Sequence, residues 1–303
     1  MTLVTSSPSA GGRIVVGYDG SAGASNALTY AATLAASRNT ELLVVMALPH
    51  LNPRNPRTAR ALKAEPTYVA VATAKAEAQL STLGEQLTAD FPGLTFTLAL
   101  VPEDAAGTLS ALSAEAELVV VGARGASSEK RLPLLGGTSG EIISHSRGPV
   151  VVVPEGLHAL DGGPVVLGLQ DAPDSLAAGA IAVREAELRG VPLIALYAWD
   201  IAPELGDFGA MVRLDPEATQ RDLDEMLQEL LVPLLEGHAG VEVERRVVQG
   251  SARVALLEAS RTASLLVIGS RGLGGFAGLL LGSISRSVTR ESECPVIVAR
   301  QFK

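Results

Sequence analysis

The sequence predicts an α/β protein of two tandem domains, each built on a doubly wound, five-stranded parallel sheet. The first observation is length: 303 residues is about twice the usual length of one domain. The second is that valine-rich runs alternate with alanine- and leucine-rich runs, which indicates buried parallel strands covered by helices. The third is an internal repeat about half as long as the chain, which identifies a duplicated domain rather than a solenoid.

The repeat consists of three pairs of matched segments in the same order in each half. Residues 13–19 resemble 164–170, residues 117–125 resemble 264–272, and residues 148–153 resemble 294–299. We therefore assign 11–154 to the first domain and 163–303 to the second. The stretch 155–163, which contains Asp, Gly and Pro, is interpreted as the linker.

Strands and helices alternate through both domains. Short apolar, β-branched runs predict strands at 13–18, 41–47, 94–101, 117–121 and 149–153, and at 164–169, 192–198, 241–248, 264–268 and 295–299. Between these strands the sequence predicts helices at 23–37, 66–90, 104–115 and 139–146, and at 174–189, 215–236, 252–262 and 283–291, of which the run 66–90 is rich in Ala, Glu, Lys and Leu. The Pro- and Arg-rich stretch 49–57 predicts a loop. Because parallel neighbours need right-handed crossovers, this alternation predicts a doubly wound sheet in each half.

Composition excludes several classes of protein. Lys and Arg number 24 against 33 Asp and Glu, a net charge of −9, so we expect neither nucleic acid nor a membrane as a partner. No apolar stretch reaches the length of about 18 residues that would cross a bilayer. Residues 1–12 lack the features of a signal peptide and predict a short disordered arm. The single cysteine, Cys294, is interpreted as a small buried hydrophobe and fits a reducing compartment, so we expect a cytoplasmic location.

In an open parallel sheet, ligands bind outside the carboxyl ends of the strands, at the switch point of the strand order. The relevant loops are those after the first and fourth strands of each half. Glycines cluster after the fourth strand of the second half, between Gly269 and Ser285. Backbone N–H groups of such a loop can form a nest for an anion, and Ser283 is placed to cap a helix whose amino end favours phosphate. The alternative is that this glycine-rich loop has a purely structural role and binds no anion.

The pattern Gly269-x2-Gly272-x9-Gly282-Ser283 resembles the ATP-binding signature of the universal stress protein family. The first strand ending in Asp19-Gly-Ser21 and the last strand beginning Cys294-Pro-Val are also typical of that family, and the resemblance covers almost the whole chain. It implies a Rossmann-like fold with a site for ATP, or for AMP or ADP, at the carboxyl edge. It further implies that phosphates and ribose are held by the backbone of the three loop glycines with Ser283 and Ser285. By the same resemblance, Ile268 lies near the nucleotide and Ala198 lies beside the adenine.

The two halves differ at this site. The first half keeps Asp19, able to accept a hydrogen bond from base or ribose, where the second has Gln170. The implied first site comprises Asp19, Ala47, Gly122, Gly125, Gly136, Gly137 and Thr138. Its loop is longer and carries Lys130 and Arg131, which either contact phosphate directly or belong to a solvated loop over a decayed site. We rank the second site ahead of the first because its glycine motif is complete.

We expect no catalytic residues and no dedicated metal site. The four histidines are scattered outside the predicted loops, and Ser283 has no visible base partner, so any Mg²⁺ would arrive with the nucleotide. The expected function is a nucleotide-dependent stress-response regulator with an unidentified protein partner. A nucleotide-free interaction scaffold and a slow ATPase are the alternatives. The last strands, 150–153 and 296–299, are expected to pair within the chain as a pseudo-dimer, and a homodimer is a further option.

Overall fold

The computed structural model describes residues 2–4, 8–48, 67–102, 104–125, 137–156, 162–170, 173–200, 215–271 and 281–300. The chain divides into two compact units, Met1–Glu155 and Gly156–Lys303. Each is described by itself. The predicted loop 49–57 lies outside the described residues.

The first unit alternates strands and helices along one parallel sheet. Its elements are β1 (Thr2–Val4), β2 (Ile14–Gly17), α1 (Ala22–Ser37), β3 (Leu42–Ala47), α2 (Thr67–Asp90), β4 (Phe96–Val101), α3 (Ala105–Leu112), β5 (Leu118–Gly122), α4 (Gly137–His145) and β6 (Val150–Val153). Within this unit the strands lie in the order β1-β4-β3-β2-β5-β6, and each neighbouring pair is parallel. The predicted α/β fold with a doubly wound parallel sheet is confirmed.

The core of the first unit lies on both faces of this sheet. Ile14, Val15 and Val16 are consecutive in β2 and all fully buried, although successive side chains of a strand point to opposite faces. Both faces must therefore be covered. Helix α1 packs across β2, β3, β5 and β6, while α3 contacts α4 and the strands β2 and β3.

The amino-terminal segment departs from the prediction. Residues 1–12 were predicted to be a disordered arm, but Thr2–Val4 form β1, which pairs in parallel with β4 in the register Leu3↔Leu98. The reason is that β4 is an apolar edge strand whose backbone donors and acceptors need partners. Three residues suffice to cover part of that edge.

The second unit repeats the five principal strands. Its elements are β7 (Val165–Leu169), α5 (Pro173–Arg189), β8 (Leu193–Trp199), α6 (Pro216–Leu235), β9 (Val243–Gln249), α7 (Ala252–Ser260), β10 (Leu265–Gly269), α8 (Ser283–Glu291) and β11 (Val296–Ala299). Within this unit the order is β9-β8-β7-β10-β11, again all parallel. Strand β9 carries exposed Glu244 and Arg245, and Arg245 forms two hydrogen bonds to Asp224 of α6.

No described helix of either unit is long and apolar enough to span a membrane.

Cys294 lies two residues before the start of β11 and is buried, as the sequence predicts. The hydroxyl of Ser292 donates to the Cys294 carbonyl at 2.8 Å and accepts from its backbone N–H at 3.3 Å. Burial raises the pKa of the Cys294 thiol to about 11. Since only the thiolate is a strong nucleophile, we expect this cysteine to react slowly in the folded protein.

We expect iodoacetamide at pH 8 to alkylate Cys294 slowly in the native protein and completely in guanidinium chloride. The raised pKa leaves almost no thiolate at that pH, and the fold excludes the reagent. Intact-protein mass spectrometry over time measures both rates. A Glu258→Cys variant, with its new thiol on the exposed face of α7, serves as the accessible control. Equal alkylation rates at the two cysteines in native protein would contradict this account.

Candidate functional site

A cavity of about 360 Å³ opens at the carboxyl edge of the sheet in the first unit. Its walls are the carboxyl ends of β2, β3 and β5 together with the amino-terminal turns of α1, α3 and α4. This placement follows from the parallel arrangement, which brings every strand-to-helix loop to the same edge of the sheet. A cleft of this size is within the usual range for small-molecule sites, about 300–1,000 Å³.

The cavity brings together most of the residues predicted for the first site. The predicted residues that line it are Asp19, Ala47, Gly122, Gly125, Gly137 and Thr138. Gly136, Lys130 and Arg131 lie outside the described residues.

Asp19 and Gly125 meet at one side of the cavity. Asp19 Oδ1 accepts a hydrogen bond from the backbone N–H of Ser21 at 3.0 Å, which turns the chain into α1. A Cβ atom at Gly125 would lie 2.7 Å from Asp19 Oδ2. The loop after β5 can pass this carboxylate because position 125 has no side chain.

The start of α1 crosses the end of β5 at a second close approach. A Cβ atom at Gly23 would lie 2.3 Å from the carbonyl oxygen of Arg124, and one at Gly122 would lie 2.6 Å from the Gly23 carbonyl. These are backbone atoms that cannot rotate away. Two glycines are required here so that the helix and the strand end can share one wall of the cavity.

A buried serine ties α4 to the same strand end. Ser139 Oγ donates to the Gly122 carbonyl at 2.7 Å, and the side chain is almost fully buried. Sequence reasoning did not select Ser139, although it corresponds in the repeat to Ser285, which was selected. Comparison of the two halves at this position is the signal that could have found it.

Other lining residues were also missed. Tyr18 and Leu48 extend the ends of β2 and β3, and Asp104 and Leu109 belong to the first turns of α3. Asp104 is the N-cap of α3 and accepts from the Gly107 N–H at 2.9 Å. An aspartate just before a helical run is a recognisable cap, and this was the available signal.

In the second unit the loop 272–280, including Gly272, lies outside the described residues. The two ends of this loop are joined by two hydrogen bonds. The Gly282 N–H donates to the Ser270 carbonyl at 2.8 Å, and Ser285 Oγ donates to the Gly269 carbonyl at 2.8 Å. The second bond repeats the one between Ser139 and Gly122. Ser285 is thus buried and holds the base of the loop, and its predicted contact with phosphate or ribose stays a prediction.

One expectation about this segment is wrong. Ser283 was predicted to be the N-cap of the last helix, but Gly282 occupies that position and Ser283 is the first residue of α8. The bond from Gly282 to Ser270 holds Gly282 in an extended conformation, and the first helical bond runs from the Arg286 N–H to the Gly282 carbonyl. The exposed Ser283 therefore lies one residue further into the helix.

The remaining predicted residues of the second unit lie at the corresponding strand ends. Gln170 follows β7, and its backbone N–H donates to Ser175 Oγ at 3.1 Å. Ala198 is the last but one residue of β8, and the buried Ile268 precedes Gly269 in β10. All three belong to the carboxyl edge of the unit.

A polar cluster that the sequence did not predict lies at the same edge. The buried carboxylate of Asp174, in the first turn of α5, accepts from Ser270 Oγ at 2.7 Å and from Arg271 Nε at 3.2 Å. Arg300 Nε donates to Ser270 Oγ at 3.2 Å. Burial and then the nearby Arg271 guanidinium lower the pKa of Arg300, while Asp174 opposes that shift. Two cations therefore converge on one carboxylate and one serine.

Comparison with known proteins decides the family. The sequence model of the universal stress protein family matches residues 12–154 and again 163–300. A universal stress protein of Mycolicibacterium smegmatis is 34% identical over 293 residues, which cover 95% of this chain and 96% of the relative. One of Mycobacterium tuberculosis is 33% identical over 308 residues, covering 95% and 94%. The chain belongs to the universal stress protein family.

Solved structures show the same fold. A universal stress protein from Archaeoglobus fulgidus has a TM-score of 0.66 at 21% identity, covering 96% of this chain and 98% of its own. A second solved structure, from Pseudomonas aeruginosa, has a TM-score of 0.61 at 15% identity, covering 95% of this chain and 93% of its own. This universal stress protein thus shares its tandem size and fold with solved relatives of low sequence identity.

Trp199 marks one further difference between the halves. It ends β8 at the position that Leu48 occupies beside the cavity of the first unit. Its indole nitrogen is buried and has no hydrogen-bond partner among the described residues.

Across the described part of this universal stress protein, no group of three or more His, Cys, Asp or Glu is arranged to hold a metal ion.

The crossing of α1 and β5 predicts a stability effect. We expect Gly122→Ala to lower the free energy of unfolding by about 1–3 kcal/mol, because the new methyl group meets the Gly23 backbone. Gly137→Ala is the matched control: it also lines the cavity, but its Cβ would meet nothing within 4 Å. Its unfolding free energy should be unchanged or raised by up to about 1 kcal/mol. Urea denaturation followed by circular dichroism measures both, and equal destabilisation would refute the crossing as the cause.

Proposed function

We propose that this chain binds an adenine nucleotide, ATP foremost, and acts as a nucleotide-dependent regulator of a stress response. The observation that carries the proposal is the cavity of the first unit. It lies where an open parallel sheet binds ligands, and the residues selected from the sequence line it. Membership of the universal stress protein family supports the regulatory role.

The chemistry of the cavity suits the parts of a nucleotide. The carboxylate of Asp19 is an acceptor for a ribose hydroxyl or an adenine amino group. Ala47 and Leu48 provide an apolar edge for the base at the end of β3. Gly137 and Thr138 open α4, whose amino end favours a phosphate group. In the second unit Gly269 corresponds to Gly122 and Ser283 corresponds to Gly137, while Gly282 is the N-cap of α8.

Binding rather than catalysis is the proposed activity. The described lining of the cavity offers no histidine and no serine with a base partner. Ser139, the one lining serine in the described residues, already donates to a backbone carbonyl. A Mg²⁺ ion would enter with the nucleotide. A protein partner would bind differently to the chain with and without bound nucleotide.

The proposal predicts bound nucleotide in the purified protein. After denaturation, ion-exchange chromatography of the supernatant should yield one or two adenine nucleotides per chain, or the protein should regain them on soaking in ATP. Thermal unfolding with ATP at about 100 times its Kd should show about 2.7 kcal/mol of added stability. Protein without nucleotide and without an ATP-dependent rise in Tm would favour the interaction scaffold instead.

Two substitutions assign the nucleotide to a half of the chain. We expect Gly125→Val to remove the first site, because the new side chain meets the Asp19 carboxylate. Gly282→Val should impair the second, because it adds a branched side chain beside Ser270 and Arg271. Gly240→Val is the control, since its Cβ would meet nothing within 4 Å. Release of labelled phosphate at a rate that Gly282→Val abolishes would favour the slow ATPase.

A further inference from the structure

A second open cleft, of about 420 Å³, lies in the first unit between α2 and the turn that follows β2. It shares only Tyr18 with the lining of the proposed nucleotide cavity. A Cβ atom at Gly17 would meet Leu109 of α3, so Gly17 faces α3. Because successive residues of an extended strand point to opposite faces, the Tyr18 side chain points to the other face of the sheet. The cleft therefore has a lining of its own, on the face that α2 covers.

The turn that forms one wall of the cleft is built around Gly20. Its φ of +79° lies in the left-handed region, which side chains rarely adopt. A Cβ atom at this position would lie 3.9 Å from the amide nitrogen of Gln79, so the side chain of this α2 residue extends to the turn. Ala78 and Leu83 of α2 supply an apolar part of the lining. The turn and the helix thus enclose the cleft from two sides.

The polar lining of the cleft combines one cation with neutral hydrogen-bonding groups. These are an ammonium, two carboxamides, a hydroxyl and a phenol, from Lys75, Gln79, Gln86, Thr82 and Tyr18. The Thr82 hydroxyl donates to a carbonyl of its own helix at 3.2 Å. Within the described part of the chain, the ammonium and both carboxamides have no hydrogen-bond or ion-pair partner, and no acidic side chain lines the cleft. The donors of the lysine and the two glutamines are thus available to a ligand.

The second unit provides a comparison, because its long helix α6 corresponds to α2. The turn after each of these helices contains the same bond from an N–H to a carbonyl at 3.1 Å, Leu94 to Phe91 and Val241 to His238. Aligning the two turns places Leu80 of α2 on Leu227 of α6, and both leucines are fully buried. The two helices can therefore be compared position by position.

The polar residues of the cleft have no equivalent in the second unit. Two carboxylates, a thioether and a proline take the places of the four polar residues of α2: Lys75, Gln79, Thr82 and Gln86 correspond to Asp222, Met226, Glu229 and Pro233. All four residues of α2 are exposed, so none of them builds the core. The fold forms with either set of side chains, and the cation and carboxamides are a property of the first unit alone.

The lining suits a small organic acid. One ammonium matches one negative charge, and a carboxylate can accept from Lys75 and from a neighbouring carboxamide at the same time. Carboxamides both donate and accept, so Gln79 and Gln86 can also bond to hydroxyl or amide groups of the same molecule. The volume of the cleft is within the usual range for small-molecule sites, about 300–1,000 Å³.

We propose that this cleft binds a small organic acid that carries one carboxylate together with hydroxyl or amide groups. The carboxylate lies on Lys75, and the neutral groups bond to Gln79 and Gln86. The site is additional to the proposed nucleotide site and does not depend on it.

The test uses two matched pairs of probes on the full-length protein. Gluconate and sorbitol share a hydroxylated carbon chain, and pantothenate and panthenol share a hydroxyl-bearing amide, so only the acid of each pair carries a carboxylate. Backbone amide shifts in ¹H–¹⁵N spectra should change at Gly20, Ala78 and Leu83. We expect at least one acid to bind about two- to fivefold more tightly than its alcohol, the range of an exposed ion pair. Raising the sodium chloride concentration should weaken the acid and leave the alcohol unchanged.

The variant Lys75→Met should remove the preference for the acid while the alcohol still binds, and Gln79→Leu/Gln86→Leu should weaken both members of a pair. The matched control is Arg261→Met, which removes an exposed cation that pairs with Glu293 in the second unit. An acid preference that persists in Lys75→Met would overturn the inference. Absence of binding by all four probes at millimolar concentrations would do the same.

ATP separates this site from the proposed nucleotide site. We expect saturating ATP to leave the acid bound, because the two linings share only Tyr18. Displacement of the acid by ATP, or shifts confined to Gly122 and Thr138 of the other cavity, would place the acid in the nucleotide site and refute a separate one. Protein that binds an acid in the cleft but no nucleotide would refute the proposed function and leave this inference intact.

Discussion

A hydrogen bond from a helix serine to a strand glycine organises the ligand edge of each unit. Ser139 bonds the Gly122 carbonyl and Ser285 bonds the Gly269 carbonyl, in both cases joining the last helix to the end of the fourth strand of the repeated fold. The strand ends at this residue, and its backbone carbonyl needs a donor. A buried serine satisfies it and fixes the helix start beside the loop. The position of the helix amino end, and hence of any phosphate bound there, depends on this bond.

Sequence reasoning located the strands and most of the first site for one physical reason. Buried parallel strands are continuous apolar runs, and the loops that follow them must meet at one edge. Asp19, Gly122 and Gly125 could therefore be placed together from the sequence. What could not be placed were pairs distant in sequence: nothing near Asp174 announces Ser270 or Arg300, since only the folded chain joins them. The cap at Gly282 was missed because its bond to Ser270 is also non-local.

The short strand β1 shows a different limit. Three residues carry too little periodicity to predict a strand, and the surrounding composition indicates a disordered arm. The decisive fact is the apolar edge of β4, whose backbone groups would otherwise be open to another chain. In the second unit β9 occupies the same place and carries Glu244, Arg245 and Arg246 instead. No strand covers this edge among the described residues, and its charged side chains protect it instead, so the two units solve one problem by different means.

Comparison of the units separates what the fold requires from what differs between the halves. The bonds shared by both halves use backbone carbonyls and one serine, and they hold strand ends and helix starts in place. The residues that differ, such as the N-caps Asp104 of α3 and Ser251 of α7, leave the sheet order of each unit unchanged. Gly23 is the informative exception. In the first unit a side chain there would strike the Arg124 carbonyl, whereas in the second the edge accommodates Asp174 and bonds it to Ser270 and Arg271. One position at a helix crossing can thus change the charge of a site, because the scaffold beside it is held by other bonds.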